Sequence, residues 1–299
     1  MTNTTKRFGG LAATTAVLAL TAGAAFSQTV EITQDMPATP DMMEHLPAEI
    51  AERGTLNVAT TDGNAPWVYV DAESGEVMGV DADLVNQAAE RLGLTVNWEV
   101  IQFTAGIPGV QSGRYDLYLS AMADTKAREE IVNFISYSQE GSGVIVPKGN
   151  PLGIETMADL CGHTVAIVTG SLFPAIIEDL NETECDEPVT IMETADQTGP
   201  YLAVASGQAD ATMNTYGVSN YALTKATEGI QTQLELSPVE RFAPANQGIA
   251  FSKESTDLMA AMGGAMQAML EDGSYQAIMD EWAVGDGAVE TFTFNSPLF

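Results

Sequence analysis

Apolar positions along this chain fall into two patterns. Short continuous runs alternate with longer stretches in which apolar residues recur every three or four positions. Leu56–Ala59 is a compact apolar run between Gly54 and the polar Thr60-Thr61, which predicts a buried strand. After Gly79-Val80-Asp81, the residues Leu84, Ala88 and Leu92 share one helical face. That spacing predicts a helix that Asp81 can cap and Gly93 stops. A helix is also predicted over 41–53, with Asp41 at its N-cap and Gly54 just past its end. Asp116–Ser120 and Ala211–Asn214 read as strands. Asp257–Glu271 reads as a helix with Leu258, Met262, Ala265 and Met269 along one face, a Met-rich face suited to core packing. Alternating strands and helices predict an α/β fold with mostly parallel sheets.

Segments of the chain echo one another. Gly54-Thr55-Leu56-Asn57-Val58-Ala59-Thr60-Thr61 has a counterpart in Gly162-His163-Thr164-Val165-Ala166-Ile167-Val168-Thr169. Ser112-Gly113-Arg114-Tyr115-Asp116 has one in Ser206-Gly207-Gln208-Ala209-Asp210, in the same order. Two similar α/β lobes explain this economically, although short Gly turns also recur by chance. Gly143–Lys148 and Gly248–Lys253 form a third pair, each a short apolar strand ending in a polar turn. The chain is therefore expected to cross between lobes near 139–143 and to return near 243–248. Two crossing segments make a hinge. The expected division is 54–141 plus 247–299 for lobe 1 and 142–246 for lobe 2.

The N-terminus changes the cellular picture. Lys6 and Arg7 precede an apolar stretch from Leu11 to Phe26 that ends in small residues around Ala25 and Ser27, and no acid occurs before Glu31. This is the layout of a cleaved secretory signal over 1–27, and its apolar part is short for a membrane span. Residues 28–53 then form a leader and the first helix. About 270 residues remain, enough for two ordinary domains. Acids outnumber bases 41 to 11, for a net charge of −30. Such a surface repels nucleic acid and anionic membranes and favours solubility. It also makes each cation worth locating. The two cysteines, Cys161 and Cys185, are expected to pair in an oxidising compartment, contributing roughly 3 kcal/mol; a free reactive thiol is the alternative. No metal or cofactor is implied.

Taken in order, several segments resemble the family 3 extracellular solute-binding proteins, the polar amino acid binding subunits of ABC importers. They are Leu46–Ile50 with Gly54-Thr55-Leu56, Gly79–Leu84, Ile107–Val110, Ser112–Asp116, Asp124–Arg128, Asp159–Gly162 with the later Cys185, and Asp272–Tyr275. The resemblance runs from about Leu46 to Val284. It implies a type II periplasmic binding protein fold, two α/β lobes joined by a two-segment hinge, with the solute between the lobes. It further implies a periplasmic monomer that serves an inner-membrane ABC permease.

Arg128 is the first candidate site residue. It follows a predicted strand and begins a helix after Asp124-Thr125, so its guanidinium can grip a carboxylate through two parallel hydrogen bonds. A surface pair with Glu129 or Glu130 is the other reading of the same residues. The resemblance assigns Arg128 to the solute's α-carboxylate. It places Ser120, Ala121 and Ala123 beside it, with Gly170, Ser171 and Leu172 across the cleft, where Gly170-Ser171 offers a second anion-binding nest. It puts the solute's side chain against the 61–67 loop and Phe103, with Asp62, Asn64 and Trp67 as candidates, although Trp67 more often supports this loop from behind. Thr215 departs from the family, where an Asp usually holds the ammonium. Either Asp62, Asp196 or another acid substitutes, or the solute lacks a normal α-ammonium. A secreted dehydratase on the same fold and a solute sensor are the rival functions. The first needs a cleft acid or base, yet His45 and His163 sit in a helix and a turn.

Overall fold

The computed structural model describes Met1, residues 43–225 and residues 230–298. The expected signal over 1–27 and the leader up to Met42, with Asp41, lie outside them. The strands are β1 (Thr55–Thr60), β2 (Tyr69–Val70), β3 (Val77–Met78), β4 (Thr95–Val100), β5 (Leu117–Tyr118), β6 (Val132–Pro147), β7 (Thr164–Val168), β8 (Thr190–Thr194), β9 (Ala211–Thr215), β10 (Leu234–Leu236), β11 (Phe242–Ser252) and β12 (Ala288–Phe294). The helices are α1 (Ala48–Arg53), α2 (Val80–Arg91), α3 (Gly106–Gln111), α4 (Lys126–Glu129), α5 (Phe173–Thr183), α6 (Gly199–Ala205), α7 (Tyr216–Thr224), α8 (Ile230–Gln233), α9 (Thr256–Glu271) and α10 (Ser274–Glu281).

The main sheet runs β4-β1-β5-β11-β6-β9-β7-β8. Strands β4, β1 and β5 are mutually parallel, as are β8, β7 and β9. Between these sets, β6 and β11 pair antiparallel to each other and to their neighbours β9 and β5. The sheets are therefore mixed rather than mostly parallel, because the two strands that carry the chain between lobes run against each set of three. The result is two α/β lobes sharing two long strands.

Each lobe has helices on both faces of its sheet. In the first, Leu84, Met262 and Ile278 of α2, α9 and α10 pack on Leu56, Leu117 and Ile249, while Val110 of α3 joins Tyr118 and Phe134 on the other face. In the second, Ile177 and Leu180 of α5 cover Val144 and Val165, while Tyr201 and Val204 of α6 cover Ile145 and Ala166. Burying one such side chain contributes about 2 kcal/mol, so these layers dominate stability.

The sequence echoes have physical counterparts. Gly54 and Gly162 both adopt positive φ ahead of a strand, as do Gly113 and Gly207. Asp116 accepts the Asn57 N–H at 2.6 Å and donates its own N–H to Asn57 at 2.9 Å. Asp210 does the same to Thr164, at 2.8 Å in each direction. Each Asp thus locks a strand edge to the strand beside it.

Three local expectations are corrected. The first helix begins at Ala48, because Pro47 has an extended ψ of 133° and the preceding residues form a turn. Asp81 does not cap α2. Its carboxylate is buried, accepting the Ala121 N–H at 3.0 Å and the Tyr137 hydroxyl. The first N–H groups of α2 go instead to the carbonyls of Pro66 (3.1 Å) and Trp67 (2.9 Å). That close approach requires glycine at position 79, where φ is +116° and a Cβ would lie 2.4 Å from the Trp67 carbonyl oxygen. Strand β5 ends at Tyr118 rather than Ser120, because the chain turns at Ala121 with φ 47°.

Cys161 and Cys185 form a disulfide with a Cα–Cα distance of 5.3 Å, tying the 157–160 turn to the segment after α5. Replacing both by Ser is expected to lower stability by about 3 kcal/mol, read as a lower midpoint in urea titration. Equal midpoints would remove the cross-link from the stability of the second lobe.

Candidate ligand-binding site

A cleft of about 470 Å³, including the part open to solvent, lies between the lobes. It forms where the carboxyl ends of the parallel strands face each other: Ser120–Ala123 follow β5, Phe103 follows β4, Val168 ends β7 with Ser171 and Leu172 beyond it, Gln197 follows β8 and Asn214-Thr215 end β9. Ligands in α/β sheets characteristically bind at such ends.

Arg128 reaches into this cleft from α4. Thr125, in extended conformation, caps the helix by accepting the Arg128 N–H at 3.3 Å. The guanidinium donates to the Ala123 carbonyl at 2.7 Å and to the Gly170 carbonyl at 2.9 Å, bridging the two lobes. Its carbon stands 5.6 Å from the Phe103 ring centroid. It pairs with neither Glu129 nor Glu130, and among the described residues it makes no ion pair. Burial lowers its pKa, but an arginine remains charged. The site presents a desolvated cation held by two neutral carbonyls.

The residues expected around Arg128 divide. Ser120, Ala121, Ala123, Ser171, Leu172, Phe103, Asn64 and Thr215 all line the cleft. Gly170 reaches the guanidinium through its carbonyl. The N–H of Ala123 makes no backbone hydrogen bond among the described residues, because Asp124 N–H and Gly248 N–H make the bonds on either side of its bridge to Gln247. The Ala121 N–H is engaged by Asp81, and the Ser171 N–H donates to Val168 at 3.1 Å, so neither belongs to an anion nest as expected. Trp67 does not reach the cleft. It is fully buried, edge-on to Tyr137 with centroids 6.0 Å apart. Asp62 lies in an adjoining pocket with Asp196, Gln197 and the other side of Phe103. Its Oδ1 accepts the N–H groups of Gly63 (2.7 Å) and Val70 (2.8 Å).

Met122, Val168, Phe173, Gln197 and Met213 also line the cleft and were not foreseen, and Gln197 borders the adjoining pocket as well. Asn214, at the end of the expected 211–214 strand, lines it too and donates to the Tyr201 hydroxyl at 3.2 Å. Gln197 lies in the loop after β8, and that position is the signal that could have found it. His45 and His163 lie outside the cleft, and His163 Nδ1 sits 3.5 Å from Asp210.

Residues 56–285 match the bacterial extracellular solute-binding proteins, family 3. The chain belongs to this family. Among its curated relatives, the arginine-binding protein ArgT of Corynebacterium glutamicum is 30% identical over 267 residues, 86% of this chain and 83% of that one. A crystal structure of an arginine-binding protein from T. maritima superposes with a TM-score of 0.71 at 25% identity, covering 81% of this chain and 99% of that one. An ancestral amino acid-binding protein, a precursor of cyclohexadienyl dehydratase, superposes at 0.68 with 26% identity, covering 78% and 97%. These are binding proteins, and this family 3 member is likewise a non-enzymatic binding component for ABC import.

Behind the cleft of this solute-binding protein sits a carboxyl pair. Asp124 Oδ2 accepts Ser136 Oγ and Ser296 N–H, each at 3.0 Å. Asp124 Oδ1 and Glu129 Oε1 are buried without a hydrogen-bond partner among the described residues, and the two carboxyl groups act on each other, an arrangement that favours a proton shared between them. Burial first, then the neighbouring Asp124, pushes Glu129 from the usual 4.5 to about 7, against the favourable Lys253. Asp124 is raised too, chiefly by burial. Burial likewise lifts Asp81 to about 7. Each raised carboxyl holds its proton more tightly when folded, so its contribution is complete below about pH 4.5 and is lost as pH rises toward 7. Thermal melts should therefore show stability falling between about pH 4 and 7, with a shallower fall in Glu129→Gln. An unchanged slope in that variant would exclude the shared proton.

Proposed function

We propose that this protein collects a cationic amino acid, arginine or a close chemical relative, outside the cytoplasm and delivers it to an ABC permease. One observation carries the reading: among the described residues the Arg128 guanidinium makes no ion pair, and in the cleft it donates to the Ala123 and Gly170 carbonyls. A solute carboxylate displaces those carbonyls with charge-assisted, bidentate bonds of greater strength. The Ala123 N–H and the Phe103 ring complete that end of the site.

The distal end supports a positive charge on the solute. In the adjoining pocket, Asp62 and Asp196 come from different lobes. Each uses only Oδ1 toward its own loop, and Oδ2 has no partner among the described residues. Hydrogen bonds from Thr198 and Gly199 hold the Asp196 carboxyl below its usual range, so it is anionic. A guanidinium or ammonium between them satisfies both acids when the lobes close. The arginine-binding relatives agree in kind. Export through the N-terminal signal and action as a monomer complete the proposal.

Arg128→Ala is expected to weaken arginine binding by about 100-fold or more in calorimetry while the fold persists by circular dichroism. Undiminished affinity would remove the carboxylate grip. Asp62→Asn should weaken arginine more than glutamine, and equal losses for both would argue against a distal cation site.

A further inference from the structure

An amino acid brings an ammonium into the cleft beside its carboxylate, and a desolvated ammonium needs an anion. The residues lining the cleft include one cation, Arg128, and no carboxylate. Asp62 and Asp196 belong to the adjoining pocket. Close behind the Thr215 wall, however, lies the carboxylate of Glu140.

Glu140 projects from β6, between the lobes. Its Oε2 accepts from the Gly217 N–H at the start of α7 and from Gln247 Nε2, each at 3.4 Å. Gln247 is oriented for this because its Oε1 accepts the Ser138 hydroxyl at 2.7 Å. The helix backbone comes so near that a Cβ on Gly217 would lie 2.5 Å from Glu140 Oε1. Thr215 Oγ1 and Trp67 Nε1 are buried without a hydrogen-bond partner among the described residues, and both side chains favour the anionic form of Glu140. Thr215 thus lines the cleft and bears on the Glu140 carboxyl group behind it.

We infer that Glu140 is a positioning residue that supplies, through Thr215, the negative charge an ammonium-bearing solute requires. The Thr215 hydroxyl directs its hydrogen toward Glu140 and turns its lone pairs to the cleft. The ammonium then donates to a neutral oxygen that a carboxylate polarises from behind. This rests on the amino acid reading above and names the group that recognises the ammonium.

Protonation tunes the arrangement. Burial raises Glu140 to about 7, opposed by the Gly217 N–H, Thr215, Trp67 and the positive charge of Arg241. Tyr137, on its own strand, also acts on it, and Gly287 packs on its Cγ. An ammonium favours the ionised form, so affinity for it rises as pH passes upward through about 7.

The test compares arginine with δ-guanidinovalerate, the same molecule without the α-amino group, by calorimetry at several pH values from 6 to 8. The ratio of the two affinities cancels effects of Asp81 and of the Asp124–Glu129 pair, which bear on both compounds. In the unaltered protein this ratio should rise with pH. Glu140→Gln should lower it by about tenfold at pH 8 and flatten its pH dependence. Thr215→Val should do the same, and it decides the matter if Glu140→Gln folds poorly. A ratio that keeps its size and pH profile in the folded variants would overturn the role of Glu140. Failure of the unaltered protein to bind arginine or any other amino acid would instead overturn the parent reading, and this inference with it.

Discussion

Strands β6 and β11 belong to both lobes, and this sharing determines where chemistry can occur. Because the two run antiparallel to the sets they join, each set of three parallel strands points its carboxyl ends toward the other. Loops leaving those ends converge on one cleft. The same strands carry Glu140 and Gln247 into the seam between the lobes. The wall, the acid behind it and the connection between lobes are therefore features of a single pair of strands.

Charge is distributed with similar economy. In a chain of net charge −30, Arg53, Arg91, Arg114 and Lys148 are paired with acids near the surface. Such pairs contribute at most about 1 kcal/mol each. Arg128 is withheld from that role although Glu129 and Glu130 adjoin it in sequence. Meanwhile burial raises Asp81, Glu129 and Glu140 around the cleft to about 7, so each is only partly ionised near neutral pH. The field near Arg128 is thus less negative than the overall composition suggests.

Much of the architecture was legible because it rests on local rules. Apolar runs, positive-φ glycines and paired Asp residues marked strands and their entries, and the order of the segments marked two lobes. The expected cysteine pair is present. Arg128 stood out because its cation follows a strand and begins a helix. What escaped the sequence depended on tertiary approach. Asp81 looked like a cap, but the carbonyls of Pro66 and Trp67 reached the helix first and turned its carboxylate inward. Trp67 lay in a loop expected to face the solute, yet its ring fits the core against Tyr137. Glu140 carries no local signal, since only the packing of distant strands gives it its neighbours.

The ladder between β6 and β11 is interrupted twice, between Phe242 and Ala245 and between Gln247 and Gly248, with Ala243 at φ 44° in the first gap. A β-ribbon flexes most cheaply where its rungs are missing. These gaps make the connection an elastic element whose stiffness enters the balance between open and shut forms. Residues in the ribbon that never touch the cargo therefore share control of capture and release with those that do.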